Sequence, residues 1–173
     1  MSFTTTLSFR SLLISKKILF ALISIFIVLT VPMLSHQQLI TGTIINACLL
    51  ITVVLLGQIE GTLIGLLPSL VALSSGLLPL ALAPAVPYIM VGNALYIYLF
   101  SKIYKHHLLT ALLVAAGIKF AFLAFSSEVI LQRLLQPAQL SKVITMLSWP
   151  QLITSISGGV LAIVVLRLRQ KHL

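Results

Sequence analysis

Lys119 is the residue whose type and position in this sequence most directly suggest chemistry. It is the one formal charge in the middle of a long apolar run. An isolated charge in hydrocarbon is costly, so its ammonium should face other helices and have a polar or anionic partner. The lysine could contact an anionic ligand, or it could form a purely structural pair, and the sequence leaves both interpretations open.

Polar and aromatic residues of a neighbouring apolar run could share that role. Tyr88, Gly92 and Tyr96 recur at four-residue spacing, and Asn93 is adjacent to them. Aromatic faces beside an amide suit a small ligand, although the same side chains could simply form a packing face. The other hydroxyls and amides that could complete a polar lining are Asn46, Gln151, Thr154, Ser155 and Ser157.

Catalytic and metal-binding patterns are absent from the sequence. It contains no aspartate, two glutamates (Glu60 and Glu128) and one cysteine, Cys48. There is no H-E-x-x-H motif and no phosphate-binding loop, and the loop pair His106-His107 has no further metal donor evident nearby. We therefore predict no catalytic residues, no metal and no cofactor.

Three glycines at four-residue spacing, Gly57, Gly61 and Gly65, suggest a surface for helix packing or partner docking. Residues at this spacing share one helix face, and small residues there let another backbone approach closely. Pro68 follows inside the same run and is expected to kink that helix.

Composition predicts that these residues lie in a membrane. The 173-residue chain is 60% hydrophobic and only 8% charged, whereas ordinary soluble domains are about 25% charged. A soluble domain of this length could not bury so much apolar surface. We predict an all-α integral membrane protein in which residues 1–173 form a single membrane domain.

Six apolar runs are predicted to form a six-transmembrane-helix bundle. They cover residues 18–34, 39–56, 61–78, 88–104, 108–126 and 151–167. The more polar segment 127–150 is predicted to lie at the outer interface as one or two short helices, with Trp149 as an aromatic anchor. The first run is long for a signal peptide core and no A-x-A site follows it, so we expect it to be retained.

Basic residues predict the orientation of the bundle. In a six-span arrangement, eight of the eleven basic residues fall on one side, and the positive-inside rule makes that side cytoplasmic. These eight are Arg10, Lys16, Lys17, Lys102, Lys105, Arg167, Arg169 and Lys171. Both termini are therefore predicted to be cytoplasmic. The net charge of +9 is attributed to topology and to contact with the lipid bilayer, and no nucleic acid partner is expected.

With six short spans and a glycine-rich, proline-bearing third span, the chain resembles the substrate-binding S subunits of energy-coupling factor (ECF) transporters. The residues that carry this resemblance are Gly57-x3-Gly61-x3-Gly65-x2-Pro68, Gly76-x2-Pro79, Pro84 and Pro87-Tyr-Ile-Met-Val-Gly-Asn93. Two later stretches, Gly117-Ile-Lys119-Phe120 and Ser148-Trp-Pro-Gln-Leu152, look like those of an uncharacterised branch of that group.

The resemblance implies a binder of a small metabolite, a vitamin or cofactor precursor, in a prokaryotic plasma membrane. It implies a coupling subunit and ATPases as partners, and no catalysis by the chain itself. The ligand pocket would lie toward the outer face and be built from spans four to six. The corresponding residues are Tyr88, Asn93, Tyr96, Lys119, Trp149, Gln151 and Thr154.

Docking to a coupling subunit departs from the family pattern in this sequence. The first span of the family often carries an Ala-x3-Ala motif, but here Ala21 is followed four residues later by Ile25. The glycines at 57, 61 and 65 could serve instead. A structural or assembly membrane protein is the alternative function, and a membrane enzyme is a third.

Overall fold

The computed structural model of the protein describes residues 3–35 and 37–171. All regular structure in these two ranges is helical, which confirms the all-α prediction. The helices are α1 (Phe3–Leu34), α2 (Gln38–Leu55), α3 (Gln58–Ser74), α4 (Val86–Ile103), α5 (Leu108–Phe125), α6 (Pro137–Leu147) and α7 (Trp149–Lys171). Short helical turns at Leu80–Ala85, Ser126–Ile130 and Leu131–Arg133 join them.

Five helical segments are long and apolar enough to cross a membrane, and α3 is a shorter sixth. The five segments are Ile14–Leu34, Gln38–Leu55, Leu80–Ile103, Leu108–Arg133 and Pro137–Arg169. Helix α3 has 17 residues and is therefore about 26 Å long, close to the minimum for a hydrocarbon core about 30 Å thick. These helices fit a multi-pass membrane protein.

The third predicted span, residues 61–78, extends beyond the C-terminal end of helix α3 at Ser74. The helix ends at Ser74 because Gly76 adopts a φ of +78°, a left-handed conformation that side chains disfavour and glycine tolerates. The backbone N–H of Leu78 then donates to the carbonyl of Ala72 at 2.8 Å and closes the turn. Hydropathy did not reveal this end because the residues beyond it are equally apolar.

Basic side chains gather at one end of the bundle, which we call the basic end. The loop between α4 and α5 contributes Lys105, which lines one surface cavity together with Arg167 and Arg169 of α7. The Arg169 guanidinium lies 4.9 Å from the ring centroid of Phe20 on α1. The loop after α4 and the last turns of α7 therefore meet at this end, beside the middle of α1. Arg10 and Lys171 fall among residues whose side chains the structure does not describe.

Two groups of buried apolar residues hold the bundle together. The larger group has members on α1 to α5 and on α7, and it includes Leu49, Ile97 and Leu112. The smaller group lies at the end opposite the basic end, where Leu82 and Leu147 pack between the short helical turns, α4, α5 and α6. The predicted interfacial segment 127–150 thus contributes α6 to the covering of that end.

The most extensive helix contact joins α2 and α7. At Gly158 of α7, an added Cβ would lie 2.6 Å from the carbonyl oxygen of Thr43 and 2.9 Å from the backbone nitrogen of Ala47. These distances are shorter than van der Waals contact, so only glycine fits against the α2 backbone. Sequence inspection did not single out Gly158, although it lies in a Gly-Gly pair within an apolar run.

The predicted glycine surface on α3 is divided in the structure. Gly61 faces Val53 of α2, and Gly65 faces Ile97 of α4. Gly57 lies outside the helix as the residue before its first turn, with a φ of +131°. Its role is therefore to turn the chain between α2 and α3, and the three glycines do not form one helix face.

Candidate functional site

A cavity of about 100 Å³ lies between the helices at the end opposite the basic end. We call it the Lys119 cavity. Apolar side chains form most of its wall, and helices α2, α3, α4, α5 and α7 each contribute at least one polar side chain. Those polar residues are Gln38, Thr41, Asn46, Ser69, Asn93, Lys119 and Gln151.

Lys119 meets Asn46 because their helices run in opposite directions. Lys119 lies six residues before the end of α5, about 9 Å along the helix, and Asn46 lies eight residues after the start of α2, about 12 Å along it. The Lys119 Nζ donates to Asn46 Oδ1 at 2.8 Å and lies 5.1 Å from the ring centroid of Tyr96. The lysine is only 2% exposed.

The ammonium of Lys119 has donors to spare. An ammonium carries three N–H donors, and its one hydrogen bond within the described residues goes to Asn46. The Tyr96 ring contributes a cation–π contact, which attracts the charge without accepting a conventional hydrogen bond. Lys119 also lines the cavity, so a molecule bound there would lie beside a side chain with unused donors.

Asn46 and Tyr96 connect this lysine to α7. The Asn46 Nδ2 donates to Thr154 Oγ1 at 3.3 Å, which fixes the amide with its oxygen toward Lys119. The Tyr96 hydroxyl donates to the backbone carbonyl of Ser155 at 2.7 Å. The lysine is thus supported by residues of α2, α4 and α7.

Asn93 contacts the backbone of helix α3 as well as lining the cavity. Pro68 lacks the N–H that would bond to the Ile64 carbonyl four residues earlier, and the next carbonyl along α3, that of Gly65, has a side-chain donor. The Asn93 Nδ2 donates to the carbonyl of Gly65 at 3.0 Å. One N–H of the Asn93 amide is therefore used by α3, and the second N–H and the amide oxygen remain for a ligand.

Two glutamines hold α6 over the cavity. Gln38 Nε2 donates to the carbonyl oxygen of Met146 at 2.7 Å, and Gln151 Nε2 donates to the same oxygen at 3.3 Å. Met146 lies in the last turn of α6 and also lines the cavity. The start of α2 and the start of α7 are thereby tied to one carbonyl of the covering helix.

The structure brings together some of the predicted binding residues and separates others. Asn93, Lys119 and Gln151 line the cavity, and Tyr96 and Thr154 contact its lining residues.

Tyr88 and Trp149 do not line the cavity. Tyr88 packs against the smaller apolar group. Trp149 is 65% exposed, with its ring 5.3 Å from that of Phe120. Trp149 begins α7 on the outside of the bundle, where its amphipathic ring suits a membrane interface.

The cavity includes helices that the family resemblance did not assign to the pocket. Spans four to six were expected to form it, yet α2 and α3 contribute Gln38, Thr41 and Ser69. Asn46 was the one residue of these two helices that the sequence suggested as part of a polar lining. Polar residues in the outer turns of apolar helices were the available signal, but they also occur wherever a helix enters a loop.

Among the described residues, Lys119 is the only charged one that lines the cavity, so the charge of the lining is positive. The two glutamates of the chain are Glu60, in the first turn of α3, and Glu128, in the turn after α5. Neither lines the cavity, so Lys119 has no carboxylate partner within the residues that the structure describes. His106 and His107 are exposed at the basic end, and no group of three metal-ligating side chains occurs in the described ranges.

Comparison with known proteins does not assign this chain to a family. No family model, curated protein or solved structure matches it. The interpretation of the cavity therefore depends on its own geometry and chemistry.

The hydroxyl of Tyr96 provides a test of this arrangement. Tyr96→Phe is expected to lower the free energy of unfolding by about 1 kcal/mol because the bond to the Ser155 carbonyl is lost. Tyr98→Phe is the matched control, since Tyr98 belongs to the same helix and is 46% exposed. Thermal unfolding of both variants in detergent measures the difference, and equal effects would contradict the assignment.

Proposed function

We propose that this chain is a membrane-embedded substrate-capture subunit of an ECF-type importer for a small metabolite. The observation that carries the proposal is the Lys119 cavity, in which a buried ammonium without a carboxylate partner lies among amides from other helices. Small-molecule sites are typically concave and mostly apolar, with a few convergent polar groups that orient the ligand. The lining of this cavity has that composition.

The chemistry of the lining favours binding over catalysis. It offers amides, hydroxyls and one ammonium, but no carboxylate, imidazole or thiol. General acid–base and nucleophilic catalysis usually pair a reactive group with one of those side chains. We therefore propose that the chain captures its substrate and performs no reaction on it.

Direct detection of a bound molecule tests the proposal. The protein is purified by mild extraction and analysed by native mass spectrometry beside Lys105→Met, a control that removes an exposed charge at the basic end. Both are expected to release the same small molecule. If wild-type protein carries no ligand and binds none from a cell metabolite extract, the capture function is wrong.

In the proposed topology, the chain crosses the plasma membrane six times with both termini in the cytoplasm. The Lys119 cavity then opens toward the outside, and the basic end faces inward in accordance with the positive-inside rule.

Cysteine labelling tests this orientation. In a Cys48→Ala background, Lys142→Cys on α6 is expected to react with a membrane-impermeant maleimide in intact cells. Lys105→Cys is expected to react only after permeabilisation. Both lysines are exposed, and the native cysteine is buried. The opposite labelling pattern would reverse the proposed topology.

Helix α1 is the proposed contact for a coupling subunit and its ATPases. Gly61 and Gly65 already contact α2 and α4, so they are poorly placed for an external partner. Ala21 lies on α1, whose neighbouring Leu22 and Phe26 are exposed. Co-purification with an ECF coupling subunit is the measurement, and its failure in the presence of a co-expressed module would contradict the partnership.

A structural or assembly role is the second candidate. It is favoured by the contacts of Lys119 with Asn46 and Tyr96, which join three helices without any ligand. In that role, Lys119→Ala would reduce the yield of folded protein or of its complex and leave metabolite uptake per folded molecule unchanged. Uptake lost at full protein yield would instead favour capture.

A further inference from the structure

We infer that the ligand of the Lys119 cavity carries a carboxylate, which the Lys119 ammonium receives after entry beneath α6. This inference rests on the proposed capture function and names the class of its substrate. It is carried by the second cavity that adjoins the first, by the charges along both, and by the small volume at Lys119.

A second cavity forms a vestibule to the first. Its volume is about 470 Å³, and α6 supplies most of its lining, including Ser141, Lys142 and Thr145. Gln38, Leu77 and Met146 line both cavities. These three residues therefore form the wall between the two spaces, and the hydrogen bond from Gln38 to the Met146 carbonyl crosses that wall at 2.7 Å.

The charges of this route favour an anion. Lys142 lines the vestibule and Lys119 lines the inner cavity, and neither glutamate lines either space. Charges with one sign in a low-dielectric cleft raise the local concentration of the opposite ion. A cationic ligand would meet repulsion at both positions, and a neutral ligand would leave the buried ammonium without an ionic partner.

The donor arrangement at Lys119 favours a carboxylate over a phosphate. One ammonium can neutralise one negative charge, and no second cation lines the inner cavity. A carboxylate carries one charge on two oxygens, which can accept the spare ammonium donors. Each glutamine amide also has two N–H donors, so Gln38 and Gln151 can bond to Met146 and still offer one donor. A phosphate dianion would bring more charge and more acceptors than this lining can satisfy.

The volume limits what can lie beside the lysine. The inner cavity measures about 100 Å³, whereas a single water needs about 10–15 Å³ in this measure and whole ligand pockets reach about 300–1,000 Å³. The carboxylate and a few carbon atoms fit there. The rest of a larger ligand would occupy the vestibule after the contact between Gln38 and Met146 parts.

A matched set of probes tests the inference on the full chain in detergent. Thermal unfolding and calorimetry are measured with sodium propanoate, neutral propanamide and inorganic phosphate. Propanoate is expected to raise Tm with concentration, as a ligand specific for the folded state must, and to bind at least tenfold more tightly than the other two. Equal binding of propanamide, preferred binding of phosphate, or no response to propanoate at millimolar concentration would overturn it.

The vestibule lysine provides a kinetic test. Lys142→Gln is expected to slow the association of propanoate several-fold at low ionic strength with little change in dissociation, because a charge outside the final contact mainly affects encounter. Lys105→Gln at the basic end is the control and should leave both rates unchanged. An unaltered association rate in Lys142→Gln would exclude this entry route.

Failure of the inference is distinguishable from failure of the proposed function. The native ligand could lack a carboxylate and fail to compete with any carboxylate probe. That result would leave the capture function intact and overturn the carboxylate class. A protein that binds neither probes nor metabolites and associates with no coupling subunit would contradict both.

Discussion

Lys119→Met is expected to weaken ligand binding at least 100-fold and to leave the protein folded. Methionine is only one atom shorter than lysine, and it removes the charge that the ligand would contact. A 100-fold change in Kd corresponds to about 2.7 kcal/mol, within the range expected when a buried, hydrogen-bonded charge pair loses one partner. The measurement is the Kd of propanoate, or of the native ligand once identified.

Stability of the same variant separates a binding role from a structural one. Loss of the ammonium leaves Asn46 Oδ1 without its donor, which costs about 1–3 kcal/mol. The variant also no longer has to bury an isolated charge, which is a gain in stability that opposes this cost. We therefore expect Tm to change by only a few degrees. Adding Asn46→Leu should restore part of that stability and not binding, because the unpaired amide oxygen is then removed and the Thr154 hydroxyl keeps its bond to the Gln151 carbonyl. Binding that survives in Lys119→Met would contradict the site.

Gly158→Ala is expected to destabilise the protein by about 2–3 kcal/mol, the upper range for overpacking. The added methyl would approach the Thr43 carbonyl and the Ala47 backbone nitrogen of α2, which cannot rotate away as a side chain can. The two helices must separate slightly. Since Asn46 lies at the same contact, ligand affinity should fall as well.

Matched glycine variants define the cause of that loss. Gly117→Ala on α5 has no atom near the added Cβ and should be neutral or slightly stabilising, because alanine favours helices by about 1 kcal/mol. The three atoms nearest to the Cβ that Gly159→Ala would add belong to the Leu112 side chain, which can adjust more easily than backbone, so its cost should be intermediate. Thermal unfolding in detergent ranks the three, and an equal loss in all three would mean that backbone contact is not responsible.

The sequence predicted the helices well because hydropathy is a local property. Runs around Leu49, Ile97 and Leu112 are apolar whatever they pack against, and Lys119 had to face the bundle because lipid excludes an isolated charge. The end of α3 was harder to predict, since it depends on the backbone conformation of Gly76 within a continuous apolar stretch.

The residues that form the site could not be predicted from local sequence patterns alone. Asn46 and Lys119 approach each other because two antiparallel helices place them at similar depth. Trp149 and Gln151 are two residues apart on α7, yet one faces outward and the other lines the cavity. Helix rotation decides such differences, and close contacts such as Gly158 against α2 determine that rotation.

In the proposed membrane topology, the short length of α3 predicts a local hydrophobic mismatch with the bilayer. Its 17 residues span about 26 Å, whereas a typical bilayer has a hydrocarbon core about 30 Å thick. The bilayer beside α3 should therefore become thinner. This would bring the lipid headgroups closer to Ser69, which lines the Lys119 cavity. The cavity would then lie closer to water than expected from its position along the longer helices.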